Sequence, residues 1–119
     1  MNILILASKN DFAAKLHNLM EENGYHAQIA PISRPELSER TAPDLILAEL
    51  TRDDYGLLLQ FRELRWAVPI IVFSDGLQAA DRVFCIERGV VYFLPRQFET
   101  SELLAYLHSI KGRTRNSAQ

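Results

Sequence analysis

Apolar residues in this chain come in short, nearly unbroken runs, separated by stretches in which they recur every three or four positions. Ile3 to Ala7, Leu45 to Ala48, Val68 to Phe73 and Val90 to Leu94 are the runs. A strand buried on one face alternates, so the first three of these runs predict strands covered on both faces, and Val90 to Leu94 predicts the last strand. The first is extended by Asn2 to give a strand over 2–7. Tyr25 to Ala30 (YHAQIA) alternates weakly and predicts a second, more peripheral strand.

The stretches between carry the helical period. Asn10 or Asp11 caps a helix that places Phe12, Leu16, Leu19 and Met20 on one face, and Gly24 stops it. Ser33 and Pro35 mark the start of a short helix within Pro31 to Arg40. Tyr55 to Trp66 places Leu57, Leu58, Phe61 and Leu64 inward. Gln78 to Arg88 is expected to turn on Ala80, Val83, Phe84 and Glu87, with Gly89 at its stop. A last helix, Glu99 to Ile110, turns Leu103, Leu104, Leu107 and Ile110 inward. Five strand-helix units in strict alternation predict an α/β fold: a doubly wound five-stranded parallel sheet with right-handed crossovers. Residues 1–110 form this domain; Lys111 to Gln119 is polar and basic, and is expected to be a frayed tail or the start of an interdomain linker.

Composition narrows the function. A chain of 119 residues that is 48% hydrophobic supports one ordinary core. Its net charge of −2 leaves no electrostatic footprint for direct nucleic-acid binding, and no polybasic surface for a membrane. The single cysteine, Cys85, excludes an internal disulfide and is expected to be a buried thiol. The run at Ile3 to Ala7 is too short for a signal peptide or a membrane span, so a cytoplasmic location is expected. His17, His26 and His108 are far apart and lack metal-ligand spacing.

The chemistry concentrates at strand ends. Glu49 closes the central run and is followed by the polar loop Thr51-Arg52-Asp53-Asp54; Ser74 closes the next run, and Arg96 follows the last. In open α/β sheets the carboxyl edge is where ligands bind. This order of a carboxylate, a hydroxyl and a basic residue, with PDLILAEL at 43–50 and PIIVFSDG…DRVFCIERGVVYFLPRQF at 69–98, resembles the receiver domains of bacterial two-component response regulators. The resemblance covers residues 2 to 110. It implies a flavodoxin-like (βα)5 fold with strand order 2-1-3-4-5.

In that family two acidic residues after the first strand, with an acceptor Asp after the third, bind Mg²⁺. The Asp takes a phosphoryl group from a histidine kinase, a Ser or Thr bonds its oxygens, and a Lys followed by a cis-proline closes the site. Carried over, the acidic pair falls on Ala7 and Ser8, the acceptor on Glu49, the hydroxyl on Ser74, the aromatic switch on Phe93, the Lys on Arg96 and the proline on Gln97. The resemblance therefore implies an atypical receiver. Mg²⁺ wants carboxylate oxygens in near-octahedral array, and Ala7 and Ser8 supply none, so metal binding is expected to be lost and no cofactor is assigned. The longer side chain of Glu49 also misplaces its oxygens for phosphoryl transfer, where positioning is most of the catalysis. No enzymatic activity is expected. The 96–97 peptide is expected to be trans.

Glu49, Arg96 and Ser74 are expected to form an ion-pair cluster in place of a metal-phosphoryl assembly, with Arg96 as a two-pronged donor; the alternative is a solvated pair left by drift. A second reading keeps a working, Mg²⁺-dependent phosphoacceptor through Asp11 or Asp53 and Asp54, although these read first as a helix cap and a loop-shaping pair. A third places a small anion near Ser8, Ser74 and Arg96. The segment from Glu49 to Ser74 is shorter than in typical receivers, which argues against ordinary kinase input. Trp66 is expected to cover the core edge. The partner surface implied by the resemblance is the fourth predicted helix, fifth strand and fifth predicted helix: Asp81, Arg82, Arg88, Tyr92, Glu102, Tyr106 and His108. Through it the chain is expected to bind a protein partner or form a homodimer in signal transduction or transcription regulation.

Overall fold

The three inner strands of the sheet are covered on both sides, while the two edge strands are covered only in part. The computed structural model describes residues 1–7, 10–32, 41–54, 56–63 and 66–117. Ser8, Tyr55, Leu64 and the expected short helix beyond Ile32 lie outside the described residues. In order come β1 (Asn2–Ala7), α1 (Asn10–Glu22), β2 (His26–Pro31), β3 (Leu45–Glu49), a 3₁₀ turn (Arg52–Asp54), α2 (Gly56–Glu63), β4 (Ile70–Phe73), α3 (Ala79–Ile86), β5 (Val90–Leu94) and α4 (Thr100–Ser117). The strands form one parallel sheet in the order β2-β1-β3-β4-β5, with β3 in the middle and the weakly alternating β2 at an edge.

Period-two alternation divides each inner strand between two cores. Ile3, Ile5, Leu45, Leu47, Ile71 and Phe73 face α1 and α4, where Leu16, Met20, Leu103 and Leu107 meet them. Leu4, Leu6, Ile46, Ala48, Ile70 and Val72 face the other way, onto Leu57, Leu58 and Phe61 of α2 and Cys85 of α3. Phe61 also stacks on Trp66, centroids 5.9 Å apart, which puts Trp66 over the core edge. After α1, Gly24 takes φ +83°, a conformation that costs other residues a Cβ clash, and its N–H caps the Glu21 carbonyl at 3.1 Å.

Two elements depart from the periodic reading. The inward side of α3 is Asp81 and Cys85, while Ala80 and Val83 are exposed. Six of the eight residues in AADRVFCI are apolar, more than one stripe can bury, so the pattern alone did not choose the face. Gln78 and Asp81 form a reciprocal capping box, with the Gln78 N–H donating to Asp81 Oδ2 at 3.2 Å, and that pulls Asp81 inward. Asp81, expected on the outer face, is therefore buried. The last helix continues past Ile110 to Ser117, and no proline interrupts the sequence there.

Candidate functional site

Strand-end geometry gathers the site. Glu49 is the last residue of β3 and pairs in register with Phe73 of β4; Ser74 follows β4 directly. Beyond the strand ends the sheet is continued by Leu50 N–H to the Phe73 carbonyl (3.1 Å) and Ser74 N–H to the Leu94 carbonyl (3.0 Å). Arg96 sits two residues beyond β5. Three successive strands thus deliver a carboxylate, a hydroxyl and a guanidinium to one edge. Beside it, Phe12, Phe73 and Phe98 make an edge-packed aromatic cluster with centroids 5.2–6.2 Å apart, and Lys15 Nζ lies 4.8 Å from the Phe98 centroid.

The Glu49 side chain is 2% exposed, and its Oε2 lies 3.3 Å from Arg96 Nε. Desolvating a carboxylate this far costs several kcal/mol, and an adjacent guanidinium offsets much of that. The contact differs from the expected two-pronged bond. Arg96 Nε is buried, yet its N–H is not aimed at an acceptor, so the two groups touch as ions without a directed hydrogen bond. Ser74 does not join them: it is half-buried, and its bond is the backbone one to Leu94. Of the expected cluster, Glu49 and Arg96 meet and Ser74 stays apart.

Among the other positions, Ala7 is buried at the end of β1, and Ser8 lies outside the described residues. Phe93 is half-buried and packs against the α2/α3 core. Asp54 Oδ2 accepts bonds from the Thr51 N–H and hydroxyl, both at 2.9 Å, so this carboxylate shapes its loop. Asp11 is exposed in the first turn of α1. The described residues include no cis peptide, so Arg96–Gln97 is trans. Sequence reasoning passed over Asp75, whose Oδ1 accepts the Arg96 N–H at 3.1 Å. Its signal was only that of a turn, Ser-Asp-Gly; nothing local names a partner twenty-one residues away.

The expected partner face is assembled from α3, β5 and α4. Arg82 is exposed. Arg88 lies flat on Phe84, 3.4 Å from the ring centroid, and donates to the Phe84 carbonyl at 2.8 Å. Tyr92 and Tyr106 stack in parallel with centroids 4.0 Å apart. The Tyr92 hydroxyl donates to Ser109 Oγ at 3.3 Å, and that of Tyr106 to Glu102 Oε1 at 2.7 Å. The bond to Glu102 is the main reason the Tyr106 pKa is raised above its ordinary 10.0, with burial adding to it. Three members of this face were not anticipated as outward: Val83, Ile86 and Val91 are 54%, 57% and 40% exposed.

No protein-family model matches the chain. Curated relatives do: the response regulator MprA of Mycobacterium leprae is 28% identical over 118 residues, covering 93% of this chain and 52% of its own length. The KDP operon transcriptional regulatory protein KdpE of Escherichia coli is 30% identical over 110 residues, 89% of this chain and 49% of that protein. The chain thus spans about half the length of the curated relatives it matches. Among solved structures, a two-component response regulator from Clostridium difficile superposes with a TM-score of 0.85 at 21% identity, covering 96% of this chain and 98% of its own. A CheY-like receiver domain protein from Methanospirillum hungatei gives 0.83 at 19% identity, with 97% of each chain covered. No helix among the described residues is long and apolar enough to cross a membrane. Relatives by sequence and neighbours by fold point the same way, and the chain belongs to the response-regulator receiver domains.

Proposed function

We propose that this receiver domain works without being phosphorylated, as a protein-interaction or dimerisation module in signal transduction or transcription regulation. The observation that carries the reading is the contact between buried Glu49 and Arg96. A resident cation already stands against the carboxylate at the acceptor position, where a working site would leave room for metal and phosphoryl group. The donor set does not fit Mg²⁺: Ala7 has no side-chain oxygen, Ser8 has a neutral one, and Glu49 Oε2 faces a guanidinium. No cofactor and no catalytic residue is assigned.

Output is assigned to the face of α3, β5 and α4. Exposed Val83, Ile86 and Val91 offer apolar area, and the Tyr92–Tyr106 stack offers a rigid aromatic edge. Direct nucleic-acid binding is not part of this reading, because the net charge is −2. The test is incubation with an acyl phosphate and Mg²⁺, read by intact mass. The expected result is unmodified protein. A stoichiometric phosphoryl adduct overturns the proposal and restores a working phosphoacceptor.

A further inference from the structure

Something other than the ion pair must place Arg96. The contact of its Nε with Glu49 has ionic distance without hydrogen-bond direction, so the pair alone does not fix where the side chain starts. A hold on its main chain does so instead. The Arg96 N–H donates to Asp75 Oδ1 at 3.1 Å, a bond between the loop after β5 and the loop after β4. A charged acceptor makes this stronger than an ordinary turn bond. Gly76, at φ +75°, turns the chain immediately after Asp75, and the sheet bond from Ser74 N–H to the Leu94 carbonyl fixes the two loops one step lower. The loops are thus tied at two successive levels.

Just outside this tie is a cleft of about 260 Å³ whose walls include Thr51, Ser74, Asp75 and Arg96, but not Glu49. Arg96 both lines this cleft and contacts the buried carboxylate.

We propose that Asp75 is the positioning residue of a clasp: it holds the backbone of Arg96 so that the guanidinium lies across Glu49 and closes this strand edge without a ligand. The inference builds on the reading of Glu49 and Arg96 as a resident pair, and adds what keeps the pair closed. The clasp also fixes the start of α3, because the loop it grips runs directly into the Gln78–Asp81 capping box.

The test compares wild type, Asp75→Ala and Asp75→Asn by NMR on ¹⁵N-labelled protein, reading exchange of the Arg96 amide and the Arg96 Nε–Hε signal. Asp75 is exposed, so both variants are expected to fold. Asp75→Ala should speed exchange of the Arg96 amide by about tenfold or more, the scale of a lost charge-assisted bond. It should also broaden the Nε–Hε signal, while Asn, which keeps an acceptor oxygen, restores both in large part. Unchanged signals in Asp75→Ala overturn the clasp, as does an Asn variant that behaves like Ala. The same samples are incubated with acyl phosphate and Mg²⁺. An adduct on wild type overturns the reading of the site, while the exchange data judge the clasp on their own.

Discussion

The two helical layers are built to different standards. On one side of the sheet, α1 and α4 bury Ala13, Leu16, Met20, Leu103, Leu107 and Ile110 against the strands, and the Phe12–Phe73–Phe98 cluster seals the end nearest the site. On the other side, α2 and α3 are each eight residues long, and α3 buries only Asp81 and Cys85 while Val83 and Ile86 face outward. Apolar area left in water forfeits stabilisation that burial would give. A layer that spends its apolar residues on the core is scaffold. The layer that holds some back has surface to offer a partner, which is in keeping with the proposed output face that includes α3.

The largest expected effect tests the scaffold side. Phe73 is fully buried at the junction of β4 with the aromatic cluster, so Phe73→Ala removes a ring and leaves a cavity. Its cost should be about 3–5 kcal/mol in urea or thermal unfolding. A loss below about 1 kcal/mol would mean that this layer is as loosely held as the other.

Next in size is the pair between the layers' loops. Arg96→Met leaves Glu49 buried without its cation, and because the arginine is 31% exposed, water softens the loss. Stability should fall by about 1–3 kcal/mol. Glu49→Gln in the same background should return most of it, since a neutral amide needs no counter-charge. Equal losses in the single and double variants would show a solvated pair, as drift would leave.

On the outer side the expectation reverses. Ile86→Ser removes exposed apolar area, so folding stability should change by less than about 0.5 kcal/mol. Self-association or partner capture, read by analytical ultracentrifugation or titration calorimetry, should weaken measurably. A variant that unfolds the domain but leaves association intact would invert the comparison.

What the chain disclosed in advance follows the same division. Ile3 to Ala7 and Leu45 to Ala48 announce doubly covered strands because continuous apolar runs have few other uses, and five strands in alternation with helices leave little choice of sheet. Glu49 was legible because it is the first polar residue after such a run. The face of α3 was not, since AADRVFCI is apolar nearly all round and the decision falls to a cap between Gln78 and Asp81. Asp75 was not legible either: its partner is a backbone amide on another loop, and backbone amides carry no sequence signature. Ser74 was expected in the cluster on residue type alone, but type does not give direction.

The smallest effect is confined to alkaline pH and concerns the seam where α4 meets β5. The Tyr106 pKa is raised chiefly because its phenol donates to Glu102, so the phenolate would lose that bond and face a carboxylate beside the stacked Tyr92. A pKa higher in the folded than in the unfolded chain means that the native state holds the proton more tightly. This contribution is fully present below the ordinary value of 10.0 and is lost as pH rises through the raised one. Phenolate absorbance should therefore show one tyrosine titrating late, absent in Tyr106→Phe, and the variant should lose less stability over that alkaline interval than wild type. A late-titrating tyrosine that survives in Tyr106→Phe would place the proton elsewhere, and would mean that the Tyr106–Glu102 bond within α4 does not set the shift.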